Sequence, residues 1–157
     1  MGQELRRIIP RWRVEFSFVI AVGVWFYSLS TQRYLYLMRN DTRHPMTWGL
    51  PGGKVEAGES LLDAMSRECH EELGSMPDYI SLVPLEKFTS PDDGFVYHTF
   101  FCCVANEFQP VLNEEHIGYA WISGDSYPKP MHPGLWNTVN FDVVQEKISV
   151  IQHQMSQ

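Results

Sequence analysis

The segment GGKVEAGESLLDAMSRECHEELG, Gly52 to Gly74, concentrates acidic side chains behind a glycine pair. If its second half is helical, at roughly 100° per residue, Glu68, Glu71 and Glu72 share an arc of roughly 100°. Like charges at this spacing repel. A divalent cation removes the conflict, and clustered oxygen donors suit Mg²⁺, Mn²⁺ or Ca²⁺. Arg67 adjoins Glu68 and precedes Glu71 by one helical turn, so its guanidinium can grip a carboxylate through two hydrogen bonds and fix its direction. Gly52 and Gly53 allow a sharp turn that brings the backbone close, with a carbonyl able to face the same ion. From these charges alone, a metal site and a plain solvated acidic face stand level. The glycines favour the metal site.

The elements that must position this group can be read outward from it. Ser60 and Asp63 form an S-x-x-D capping pattern. Leu61, Leu62, Met65, Cys69 and Leu73 recur at helical spacing, and Gly74 sits where a helix ends, which predicts a helix over Ser60–Leu73. The run Phe16 to Leu29 is rich in Val, Phe, Trp and Tyr and reads as a buried strand. Phe16, Phe18, Ile20, Val22, Val24 and Phe26 would share one face, with Ala21 and Gly23 lightening the other. Ser30–Arg33 reads as a turn and Tyr34–Arg39 as a second strand. After a polar loop, TWGLPGGK reads as a short extended piece ending in the glycine turn. Strands are predicted at Ile80–Phe88 and Phe95–Ala105, joined by the turn TSPDDG, and at Ile117–Ser123. A last helix is predicted over Leu135–Gln152, burying Trp136, Val139, Val143, Val144, Ile148 and Ile151. A mixed sheet between helices fits this order.

Gly53, Glu59, Arg67, Glu68, Glu71, Glu72 and Gly74 also occupy every fixed position of a long, spaced motif. In this respect the chain resembles the Nudix hydrolases. Only two apolar positions are weakened, where Cys69 is small and Ser75 is polar. The preceding WGLPGG is similar to the family as well. The resemblance implies a Nudix-type α/β/α sandwich with a mixed β-sheet, a single domain over 1–157 with an N-terminal extension of about 1–13, and hydrolysis of a nucleoside diphosphate linked to another group with Mg²⁺ or Mn²⁺. It implies that Glu68, Glu71 and Glu72 bind metal, that the Gly53 carbonyl is a further ligand, and that Arg67, aided by Glu59, orients the glutamates.

Family members differ over the carboxylate that takes the proton from the attacking water. Some use the position of Glu68, others a glutamate on a later loop. NEEHIGYAW, with Glu114 and Glu115, resembles the E-H-x-x-Y-x-W loop of several nucleotide-cleaving members, which makes Glu115 an accessory ligand or base. A solvated Glu-Glu pair is the simpler alternative. His116 could meet a phosphate, although a loop histidine without an assigned partner is more often structural or solvated. Trp48 and Tyr97 are candidates to stack on a base, as is Tyr119. Trp121 reads as core. Arg39 and Arg43 could touch phosphate or be solvated loop charges; Arg39 is the expected substrate contact.

Bulk properties narrow the partners. The 157 residues are 44% hydrophobic and 20% charged, with a formal net charge of −7, an ordinary globular composition. An acidic surface argues against a long nucleic-acid footprint, which needs cations to displace counterions. It leaves open a small nucleotide whose charge a bound cation offsets. Cys69, Cys102 and Cys103 make a poor disulfide framework and have no C-x-x-C spacing for zinc, so free thiols in a reducing compartment are expected. Arg6, Arg7, Arg11 and Arg13 precede the first apolar run, as in a targeting segment. That run is shorter than the roughly 20 residues of a membrane span and lacks a cleavage site. A cytoplasmic protein without a membrane segment is expected. Two alternatives to a nucleotide hydrolase remain: a catalytically silent nucleotide-binding module and an RNA 5′-end pyrophosphohydrolase.

Overall fold

The computed structural model describes residues 18–157. The arginines at 6, 7, 11 and 13, the expected extension and Phe16 lie outside the described residues. β1 spans Val19–Ser28, and every residue from Ala21 onward is buried. Strand alternation sends its side chains into two cores. Val22, Val24 and Phe26 enter one, Trp25 and Tyr27 the other. The face that Ala21 and Gly23 were expected to lighten therefore becomes heavily aromatic farther along. Phe18, expected on the buried face, is exposed.

β2 (Arg33–Arg39), β3 (Trp48–Gly49), β4 (Gly52–Lys54), β5 (Ser81–Thr89), β6 (Phe95–Val104) and β7 (His116–Ser123) complete a seven-stranded mixed sheet. β1 runs parallel to β6 from Val19–Phe95 to Ser28–Val104. Its other edge is shared. It pairs with β2 only at Tyr27–Tyr34 and Ser28–Arg33, and with β4 from Ala21–Lys54 to Gly23–Gly52. β2 leaves β1 to pair with β7 and β3. The split between β1 and β2 is where the glycine turn enters the sheet.

Helices cover both faces, as the expected α/β/α sandwich requires. α1 (Leu61–Leu73) packs Ala64, Met65, Cys69 and Leu73 against Val22, Val24, Phe26, Leu35 and Leu37. α2 (Pro133–Val139) and α3 (Asp142–Met155) pack Leu135, Val139, Val144, Ile148 and Ile151 against Trp25, Tyr27, Tyr34 and Tyr36. Cys102 and Cys103 are buried, one in each core, and all three thiols are free. No helix among the described residues is long and apolar enough to cross a membrane.

Two helical expectations need correction. The expected final helix is two helices. Asn140 caps α2, its N–H and Nδ2 both donating to the Trp136 carbonyl, at 3.2 and 2.7 Å, and the Phe141 N–H then turns to the Thr138 carbonyl at 3.3 Å instead of continuing the helical pattern. Phe141 then caps α3, with Asp142 in its first turn, where an acid is favoured. The break changes the buried face, leaving Trp136 and Val143 exposed. In α1, Leu62 is also exposed, while Glu68 and Glu72 take places on the buried side.

Candidate active site

The turn and α1 meet through hydrogen bonds that only a side-chain-free backbone permits. Gly52 has φ +148°, and a Cβ there would lie 2.0 Å from the Val22 carbonyl oxygen. No other residue fits this close approach between β4 and β1. The Gly52 N–H donates to Glu72 Oε2 at 2.7 Å. A Cβ on Gly53 would lie 2.5 Å from Glu68 Oε1, so this glycine packs against the carboxylate itself. At the start of α1 the Ser60 hydroxyl accepts from the Asp63 N–H at 3.1 Å, and the Asp63 carboxylate accepts from the Ser60 N–H at 3.2 Å. Gly74, with φ +87°, ends the helix in the left-handed conformation.

Arg67 organises the flank. Its Nε and one terminal nitrogen donate to the two oxygens of Glu59, each at 2.9 Å. It also donates to Glu68 Oε1 and to the Lys54 carbonyl, both at 2.9 Å. A longer bond of 3.4 Å reaches Glu71. The guanidinium thus ties the glycine turn, the segment before the helix and α1 together. It holds the Glu59 carboxyl below its ordinary range. Glu71 is exposed, and helical geometry explains the difference. Glu68 and Glu72 are one turn apart and point inward together, while Glu71 lies roughly 100° from Glu72, towards the arginine side.

The inward carboxylates are electrostatically costly as anions. Glu72 is 3% exposed, and burial pushes its pKa up to about 9, with Glu68 and Glu115 adding to the rise and the Gly52 N–H opposing it. Burial also raises Glu68, opposed by Arg67. Water no longer stabilises the charged forms.

A second segment closes over this pair. The Glu115 N–H donates to Asn113 Oδ1 at 3.0 Å, and the Asn40 N–H donates to the Glu115 carbonyl at 2.9 Å. Asn40 Nδ2 donates to the Glu114 carbonyl at 3.2 Å. These bonds fix the loop before β7, and the exposed Glu115 side chain reaches Glu72 while His116 follows it inward. One ligand atom from each of Glu72, Glu115 and His116 lies within 4.8 Å of the others. His116 is 8% exposed, with Nδ1 buried and unpartnered among the described residues. Burial, then the Arg39 charge, pushes its pKa down to about 4. Its burial departs from the solvated loop histidine considered from sequence. The likeness of NEEHIGYAW to the E-H-x-x-Y-x-W loop, with His116 next to Glu115, was the sequence signal for its place beside the carboxylates. Buried carboxylates short of counter-charge, beside a neutral nitrogen donor, fit a divalent cation.

The remaining expected site residues are spread more widely. Arg39 ends β2 opposite His116, at an irregularity in the β2–β7 ladder. It pairs with Asp41, and its Nε is buried without a partner among the described residues. Tyr97 lies across Gly23, where a Cβ would come 2.0 Å from its hydroxyl. The glycine is Gly52's partner across β1 and β4, so Tyr97 borders the turn. Burial and the Glu72 charge push the Tyr97 phenol up to about 12. Trp48 is partly buried against the aromatic core, with its backbone bonded to Pro130 and His132. Tyr119 is exposed and stands with Arg33, Phe108 and Trp121 around a separate shallow depression. Trp121 is partly buried, and its Nε1 donates to the Phe108 carbonyl at 3.1 Å.

Comparison with known proteins agrees with this geometry. The NUDIX domain model matches residues 17–140. The nucleoside triphosphatase NudI of Escherichia fergusonii is 33% identical over 104 residues, which cover 57% of this chain and 72% of that protein. NudI of Escherichia coli O17:K52:H18 is 34% identical over 105 residues, with the same coverage. Among solved structures, the E. coli dihydroneopterin triphosphate pyrophosphohydrolase superposes with a TM-score of 0.60 at 22% identity, covering 81% of this chain and 92% of that one. The NUDIX domain of Shewanella oneidensis NrtR, complexed with ADP ribose, gives 0.66 at 17% identity, covering 83% and 88%. These two share the fold. The glycine turn, the arginine-ordered carboxylates and the family match over most of the chain lead to one conclusion: this protein belongs to the Nudix hydrolase family.

Proposed function

We propose that the protein hydrolyses a pyrophosphate bond in a small nucleoside diphosphate-X substrate, with nucleoside triphosphates first among the candidates, in the presence of Mg²⁺ or Mn²⁺. The observation that carries this reading is the pair of buried carboxylates, Glu68 and Glu72, held by Arg67 and the Gly52 N–H. The named activity of the NudI relatives supports the choice of nucleoside triphosphates. Nucleotide sugars and dinucleoside polyphosphates remain within the same substrate class.

In this reading Glu68, Glu71, Glu72 and the Gly53 carbonyl would hold the cation, with Glu115 as an accessory ligand or the base. When bound, the cation would offset the charge of the pyrophosphate and acidify water. Arg67 keeps Glu68 in register through Glu59 and Lys54. Glu115, on a loop fixed by Asn113 and Asn40, would accept the proton of the attacking water if it acts as the base rather than only as a ligand. Arg39 meets the phosphate oxygens. Tyr97 borders the nucleoside, with Trp48 and Tyr119 as outer contacts.

The test is phosphate and pyrophosphate release across a panel of nucleoside triphosphates, nucleotide sugars and dinucleoside polyphosphates, each with Mg²⁺ and with Mn²⁺. Turnover that appears with either ion and disappears on chelation is the expected result. An inactive protein across the panel would overturn the reading.

A further inference from the structure

The resemblance to the family supplies only oxygen donors for the cation, and the structure adds a nitrogen. His116 follows Glu115 into the site. It is 8% exposed, and one ring nitrogen lies within 4.8 Å of a carboxylate oxygen of both Glu72 and Glu115. Its Nδ1 is buried and has no hydrogen-bond partner among the described residues, a costly condition for a polar atom away from water. The neighbouring cation, Arg39, is paired with Asp41. Backbone bonds hold the segment that leads into the histidine, since the His116 N–H donates to the Asn113 carbonyl at 3.4 Å and the Asn40 N–H donates to the Glu115 carbonyl at 2.9 Å.

We infer that His116 is a nitrogen ligand in a mixed nitrogen–oxygen cation site with Glu72 and Glu115, selective for a first-row transition ion such as Mn²⁺ or Co²⁺ over Mg²⁺. The inference rests on the reading of these carboxylates as metal ligands. Its chemistry is general. Mg²⁺ prefers oxygen and gains little from imidazole, whereas affinity for sites containing nitrogen rises from Mn²⁺ to Co²⁺ and beyond. His116 would then set which ion the protein takes from a mixture.

The test uses the full chain stripped of metal by a chelator. Calorimetric titration with Co²⁺ and with Mg²⁺ compares the wild type with His116→Gln. Co²⁺ affinity is expected to fall roughly 10–100-fold, the range that even outer-shell partners command, while Mg²⁺ affinity stays nearly unchanged. Equal weakening of both ions, or of neither, overturns the assignment. A second measurement does not depend on how the variant folds. Pulsed electron paramagnetic resonance of Mn²⁺ bound to the wild type should show nitrogen coupling that changes when the histidines alone carry ¹⁵N. Bound Mn²⁺ without that coupling overturns the role of His116 and leaves the proposed function standing. Failure of the wild type to bind any of the three ions overturns both.

Discussion

Replacing Glu72 with glutamine should change how the metal-free protein responds to pH. The Glu72 carboxyl is raised from its ordinary 4.5 to about 9 in the fold. Between these values the folded chain holds a proton that the unfolded chain has released. The group's contribution to stability is therefore full below about 4.5, declines as pH rises, and is gone above about 9. One proton corresponds to a slope of roughly 1.4 kcal/mol per pH unit. From pH 6 to pH 8 the wild type should thus lose up to about 3 kcal/mol through this group. For a chain of this size that corresponds to a fall of roughly 6–12 °C in Tm. Burial raises the neighbouring Glu68 carboxyl as well, so the proton belongs to the Glu68–Glu72 pair and the figure is its upper bound. Glu72→Gln keeps an oxygen to accept from the Gly52 N–H and carries no charge at any pH. Its Tm should be nearly flat across the same window, meeting the wild type at low pH and exceeding it at high pH. Differential scanning fluorimetry of both proteins in chelator, from pH 5 to pH 9, makes the comparison. Parallel curves would show that the buried carboxyl is not the titrating group. Added Mg²⁺ or Mn²⁺ should stabilise the wild type increasingly as pH rises and do little for the variant.

Other perturbations separate the parts of the site. Glu115→Gln should lower the maximal rate by roughly 10²–10⁴-fold with little change in substrate binding, while Glu114→Gln should be mild; steady-state kinetics at saturating metal compare them, and Glu115→Gln within a few-fold of wild type would move the base to Glu68. Arg67→Lys keeps the charge but loses the paired bonds to Glu59 and the bond to Lys54, so turnover should fall roughly 10–100-fold with an unchanged circular dichroism spectrum. Gly52→Ala forces a Cβ to within 2.0 Å of the Val22 carbonyl at φ +148°; urea denaturation should show a loss of at least about 2 kcal/mol. Gly53→Ala instead presses on the Glu68 carboxylate, so metal affinity by calorimetry should suffer more than thermal stability.

The glycine turn, the capped helix and the nearness of Arg67 to Glu68 and Glu71 were readable in the sequence because each depends on local spacing. Ser60 and Asp63 form their capping box within one turn of chain, whereas the part of Glu59 in holding Arg67 came from the family resemblance alone. The inward pointing of Glu68 and Glu72, with Glu71 outside, was not readable. It depends on how α1 rolls against β1, β2 and β4, which the apolar stripe alone leaves open by a residue's width. Leu62 shows the same roll in reverse, lying on the stripe yet facing solvent. The break at Asn140 was hidden because Trp136, Val139, Val143 and Val144 fit one continuous helical period, while the backbone leaves the helical pattern where the Phe141 N–H turns to the Thr138 carbonyl. His116 was only half legible: the resemblance of NEEHIGYAW put its neighbour Glu115 at the site, but the burial of the ring beside Glu72 depends on how β7 packs against α1, which local spacing does not reveal.

The parallel ladder between β1 and β6 also governs the order in which the molecule can be completed during synthesis. β1 emerges with its Val-, Phe-, Trp- and Tyr-rich run long before β6 exists, since Val19 waits for Phe95 and Ser28 for Val104. Until then it has only the short pairings with β2 and β4. Closing so long a loop costs entropy before any contact offsets it. An apolar strand waiting for a late partner is a natural place for chains to mispair or aggregate. Substitutions that slow the docking of β6 should therefore lower the yield of soluble protein in cells more than they lower the Tm of the molecules that do fold.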